Sequence, residues 1–145
     1  MLRKPAPITS TARVSLRFGI ITGLLLNLYN TLLIFLWFNA PWDVKLMGYT
    51  ILAGGIVYAM REFRSYNKKG MSLIQGLGIG TMLSAVAGLV YGLVNMLVIA
   101  FFAPPSAKSG AISIYFMNTI MITVIIGVVI SLVASLFYKT NGVNK

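Results

Sequence analysis

The chain has 145 residues, of which 58% are hydrophobic; 14 are glycine and two are acidic, against twelve Lys and Arg for a formal charge of +10. That is the composition of a helical membrane protein and not of a soluble domain. With no cysteine and no histidine, disulfides, thiolate nucleophiles, imidazole acid–base catalysis and the usual zinc or haem ligands are excluded, and no cofactor is expected.

Residues 1–17 carry Arg3, Lys4, Arg13 and Arg17 around Pro5 and Pro7 and read as an irregular basic arm, with Ser10 or Thr11 placed to cap the helix that follows. The apolar run over 18–38 spans the length of a membrane helix, and no small-x-small cleavage pattern follows it, so a retained first helix is expected and not a signal peptide. Trp37, Pro41 and Trp42 mark an interfacial end and a tight turn. A second and shortest segment covers about 44–60. After a basic connection bounded by Gly70, Ser72 and Gln75 have the spacing of a capping box, in which each side chain accepts a backbone N–H of the other residue. The third segment covers 71–103; at 1.5 Å per residue that is about 50 Å, longer than a hydrocarbon core of about 30 Å. Pro104 and Pro105 end it, and a fourth segment covers 112–138 before a polar tail over 140–145. The expected architecture is all-α: a polytopic bundle of four transmembrane helices in two antiparallel hairpins, within a domain over 18–139.

Charge placement orients the bundle. Ten of the twelve basic residues fall in the N-terminal arm, the central connection and the C-terminal end, which with an even number of helices places both termini on the cytoplasmic side. The cluster Arg61, Arg64, Lys68 and Lys69 serves this topology and is also positioned to contact anionic lipid headgroups. Nothing in these short juxtamembrane arms resembles a nucleic-acid-binding module.

Small residues recur at every fourth position of the third helix, at Gly76, Gly80, Ser84, Gly88 and Gly92, and of the fourth, at Thr119, Thr123, Gly127, Ser131 and Ser135. Such ridges let helix backbones approach closely in lipid. Folded back at the prolines, the two ridges meet in one register: Gly76 opposite Ser135, Gly80 opposite Ser131, Ser84 opposite Gly127, Gly88 opposite Thr123 and Gly92 opposite Thr119. Each four-residue step overshoots a turn by about 40°, so the ends of the ridge rotate toward other neighbours, for which Gly19 and Gly23 of the first helix are the candidates.

The polar residues at membrane depth are neutral: Asn27, Asn30, Asn95 and Asn118 with several Ser and Thr. Asparagines there usually hydrogen-bond between helices. No intramembrane carboxylate or lysine suggests proton coupling, and Glu62 between Arg61 and Arg64 reads as a solvated ion pair. The run Gly76 to Gly80 lacks the Lys and Ser/Thr of a phosphate loop.

Phe18, Gly19 through Gly23, Leu24 and Leu25, then Arg61 to Arg64 with Asn67 to Ser72, then Gly76, Ser84, Ala87, Gly88, Leu89 and a helix-ending proline resemble an uncharacterised bacterial family of four-helix integral membrane proteins, the domain of unknown function numbered 4199. That family usually has a longer, often acidic segment after the proline, whereas 104–110 here is short and basic. The resemblance implies an inner-membrane bundle and carries no activity or site. The expected function is therefore a non-enzymatic structural or accessory subunit that packs against itself or another membrane protein. The alternative is a small transporter or channel gated at the glycine-rich start of the third helix, with Asn27, Asn95 and Asn118 lining a polar path.

Overall fold

The computed structural model describes residues 10–36, 41–67, 71–102 and 111–138. Among these residues the elements are all helical: α1 (Thr11–Leu36), the short α2 (Trp42–Leu46), α3 (Gly48–Tyr66), α4 (Leu73–Phe102) and α5 (Ala111–Tyr138). Three helices, α1, α4 and α5, are long and apolar enough to cross a membrane. The turn at Pro104 and Pro105, Lys68, Lys69 and the C-terminal tail lie outside the described residues.

Helix starts follow local chemistry. Ser10 caps α1, its Oγ accepting the Arg13 N–H at 3.3 Å, so the basic arm becomes helical at Thr11 and Arg13 and Arg17 belong to α1. At α4 the Ser72 N–H meets Gln75 Oε1 at 3.1 Å and the Gln75 N–H meets Ser72 Oγ at 3.2 Å, a reciprocal capping box. The helix then runs uninterrupted through Gly76, Gly78 and Gly80.

The second segment departs from the sequence reading. It is broken at Met47 into α2 and α3, and α3 continues past Met60 to Tyr66. Because Arg61, Glu62 and Arg64 occupy its end, the apolar part over 48–60 measures about 20 Å, short of a hydrocarbon core of about 30 Å. What α3 lacks in lipid-facing surface it gains in protein contact: Leu52, Ile56, Ala59, Met60 and Phe63 are buried. They pack with Val14, Met71, Ile79, Leu83, Ala87 and Ala134 in one core.

α4 is the hub, with its most extensive contact to α5 and its next to α1; α3 touches all three long helices. α1 and α5 thus lie on opposite sides of the α3–α4 pair. α1 and α3 are antiparallel, as are α4 and α5, while α1 and α4 run parallel. The core sits in the half of the bundle that holds Thr11, Tyr66, Leu73 and Tyr138. In the other half α3 begins only at Gly48, beside Leu26 and Tyr29, where the Tyr29 hydroxyl donates to the Val44 carbonyl. α1 extends a further seven residues to Leu36, about 10 Å.

Candidate functional site

The side chains singled out by sequence are those that join helices, and the α4–α5 seam is built from the smallest of them. A methyl placed on Gly76 would meet Ser135 Cβ at 2.7 Å, and one on Gly88 would meet Thr123 Cβ at 3.3 Å. One on Gly80 would overlap Ser131, and one on Gly127 would overlap Ser84. The helices approach so closely that only hydrogen fits at Gly76, Gly80 and Gly127 without a shift, while Gly88 has slightly more room. The serines facing them are buried and return their hydroxyls to their own helices: Ser84 to Gly80 O at 2.8 Å, Ser131 to Val128 O and Ser135 to Leu132 O, both at 2.9 Å. No hydroxyl is left unsatisfied in the seam.

The register drifts at one end. A methyl on Gly92 would meet the Phe116 ring at 2.9 Å and Ile120 Cγ1 at 3.8 Å, not Thr119. Thr119 donates to Tyr115 O within α5. The cause is the overshoot of four-residue spacing, which by the fifth position has carried the ridge off the contact line.

Gly19 and Gly23 do not receive an end of that ridge. They take the adjacent face of α4: a methyl on Gly19 would meet Val86 Cβ at 2.7 Å, and one on Gly23 would meet the Ala87 carbonyl and Val90 Cβ, both at 2.8 Å. Here glycines receive valines, a knob-and-hole arrangement instead of small against small. Polar bonds run along the same seam. Ser15 Oγ lies 2.8 Å from Thr11 O and 3.1 Å from Ile79 O. Asn27 Nδ2 donates to Gly23 O at 3.1 Å and approaches Val90 O at 3.5 Å. Asn95 Nδ2 donates to Tyr91 O at 2.8 Å and to Asn27 Oδ1 at 3.3 Å, and Asn30 Nδ2 approaches Asn95 Oδ1 at 3.5 Å. The paired residues stay 63 to 68 positions apart in sequence from Ser15 to Asn30, the mark of a parallel contact. The asparagine cluster lies level with the start of α3, beyond which α1 and α4 no longer have α3 beside them.

Asn118 does not join this cluster. It is exposed on α5.

A third seam, between α1 and α3, was not singled out by sequence. A methyl on Gly55 would overlap the Thr22 side chain, Phe18 and Tyr58 stack edge-on with centroids 5.4 Å apart, and Arg17 reaches Glu62 at 4.0 Å while its guanidinium lies over Phe18. Glu62 therefore pairs across helices with Arg17 and not with its sequence neighbours Arg61 and Arg64, which are exposed. The adjacent Gly54 and Gly55 were the available signal; only Gly55 faces a neighbour, as Gly54 has open space around it.

Chemically, these sites hold helices together. Among the described residues no three His, Cys, Asp or Glu side chains converge on a metal position, and no fully buried side-chain nitrogen or oxygen lacks a hydrogen-bond partner. No curated protein and no solved structure matches the chain. A family match does extend over residues 17–108, from Arg17 of the α1–α3 seam through the whole of α4. The chain belongs to the family described as a protein of unknown function, DUF4199.

Proposed function

We propose that this chain is a non-enzymatic structural or accessory subunit of the bacterial inner membrane, with both termini cytoplasmic. One observation carries the reading: most of the small and polar side chains of the helices, Asn118, Gly54 and Gly78 apart, are spent on internal helix contacts, while the exterior is formed by long apolar residues such as Leu28, Leu97 and Ile125. Such a surface suits lipid and the helices of another membrane protein.

Arg13, Arg17, Arg61 and Arg64 lie exposed at the end of the bundle that also holds the core. By the positive-inside tendency this end faces the cytoplasm, where anionic headgroups add about 1 kcal/mol of attraction per basic residue near the surface. Two observations favour a subunit over a permeation path. Asn118 stands apart from Asn27 and Asn95, and below the asparagines the bundle is filled by Leu52, Ile56, Ile79 and Leu83, all fully buried.

Crosslinking and co-purification from native membranes test the reading. A reproducible complex is expected; recovery of the chain only as a lone monomer overturns it. Reporter fusions at each terminus test the orientation, and an extracytoplasmic signal from either reverses it.

A further inference from the structure

The α1–α3 seam has an inner and an outer flank. On the inner one Gly19 and Gly23 of α1 receive α4, and Leu52, Ile56, Ala59 and Phe63 of α3 lie in the core. At about 100° per residue the outer flanks carry Arg17, Ile21 and Leu25 of α1 and Gly54, Tyr58 and Arg61 of α3, all six exposed. They border one outward groove, with the contact of Thr22 and Gly55 as its floor. Gly54 keeps it open: among the described residues nothing lies within 4 Å of a methyl placed there. Charge fixes the depth of the groove. Residues 18–36 of α1 and 48–60 of α3 contain no charged side chain, and Arg17 and Arg61 are the first charges beyond those runs. The 4.0 Å approach of Arg17 to Glu62 puts both run ends at one level. The guanidiniums therefore mark the border between headgroups and hydrocarbon, and Gly54, seven residues from Arg61, lies about 10 Å deeper.

A groove on the outside of a membrane bundle meets lipid by default, and the charge at its mouth decides which lipid it favours. This mouth holds two guanidiniums and one carboxylate, Glu62. Arg17 is turned into the seam, its guanidinium 5.9 Å from the centre of the Phe18 ring. A phosphate accepts paired hydrogen bonds from a guanidinium, while the excess positive charge repels the amine of a zwitterionic headgroup. On the reading of this end of the bundle as a basic membrane surface, we propose that the groove is a binding site for one anionic phospholipid. The phosphate is held between Arg17 and Arg61, and an acyl chain lies over Gly54 beside Ile21 and Leu25. The basic surface as a whole is broader than this site. Arg13 is nine residues from Thr22 and Arg64 nine from Gly55, which at about 100° each sets both opposite the seam. Equal charge there borders no groove.

The test uses the full chain, purified in a mild non-ionic detergent and titrated with phosphatidylglycerol or phosphatidylcholine, with bound lipid counted by native mass spectrometry. The wild type is expected to hold one phosphatidylglycerol about tenfold more tightly than phosphatidylcholine. Arg17→Gln combined with Arg61→Gln should abolish the preference. Arg13→Gln combined with Arg64→Gln removes the same charge and should keep most of it. Gly54→Phe fills the groove with every charge in place and should weaken phosphatidylglycerol binding as much as the first pair does. Because residue 54 has open space around it, unfolding of that variant without added lipid should match the wild type, and Gly54→Leu supplies a smaller plug. A wild type without preference, equal losses from the two arginine pairs, or binding unchanged by both Gly54 variants overturns the site. Equal losses would mean a diffuse basic surface. None of these outcomes touches the subunit reading, which co-purification from native membranes decides.

Discussion

Helix α4 is gripped on two sides by different means. Toward α5 it presents Gly76, Gly80, Ser84 and Gly88 to Ser135, Ser131, Gly127 and Thr123, small side chains on both helices with hydroxyls folded back onto their own backbones. Toward α1 it presents Val86 and Val90 to Gly19 and Gly23, with Ser15, Asn27, Asn30 and Asn95 making bonds across the gap. The first seam is antiparallel, between helices joined by a turn; the second is parallel, between helices with α2 and α3 intervening. With no hydrophobic effect to drive helices together in lipid, contact area and hydrogen bonds must do so, and α4 uses area on one side and adds polar bonds on the other.

The largest effect is expected where small meets small. Gly127→Leu drives a side chain into Ser84 and should cost about 3 kcal/mol or block assembly, seen as a lowered unfolding temperature in detergent. Gly88→Leu should cost less, because the facing Thr123 Cβ stands 3.3 Å from the added carbon. Both should exceed Leu97→Ala, which trims an exposed residue; equal stability of the three would break the packing account.

Exchange across a seam separates its two kinds. Gly127→Ser alone should destabilise by about 1–2 kcal/mol, and adding Ser84→Gly should restore most of it, because the obstructing atoms belong to the serine side chain. Gly23→Ala should cost a similar amount, but Ala87→Gly should not rescue it. The obstruction there includes the Ala87 carbonyl oxygen, 2.8 Å from the added carbon, and backbone remains when the side chain is removed. Rescue at Gly23 would show that the α1–α4 seam yields as the α4–α5 seam does.

The polar bonds come next. Asn95→Leu removes the partner of Asn27 and Asn30 and should cost about 1 kcal/mol by thermal unfolding, whereas Asn118→Leu should leave the monomer's unfolding unchanged. Smallest of all is Glu62→Gln. Its partner Arg17 is 72% exposed, and an exposed pair contributes about 0.5 kcal/mol or less. The difference from wild type should vanish on adding salt.

Much of this architecture was legible in the chain. Composition gave the all-helical membrane class, and the S-x-x-Q spacing at Ser72 and Gln75 gave the start of α4. The four-residue ridges on α4 and α5 gave which residues face each other, because a turn between adjacent helices leaves their register little freedom. It is at Gly92, farthest along the ridge, that the pairing departs, as the 40° overshoot per step requires. The end of the second segment was misread because its last turn is charged: Arg61, Glu62 and Arg64 read as a connection but are helical.

What the sequence by itself determined is local or linked by a short turn: helix class, caps, and the two ridges of the α4–α5 hairpin. Only the tertiary structure decided that α1 and α4 run side by side in parallel, that Gly19 and Gly23 receive valines, that α3 starts one seam short of the bundle's end, and that Asn118 faces outward while Asn27, Asn30 and Asn95 face one another. The physical reason is that α4 and α5 are apolar all round, so periodicity does not tell the protein-facing side from the lipid-facing one. Helices that are not sequence neighbours have their offset set by no turn. It is set by which side chains fit when the whole bundle closes.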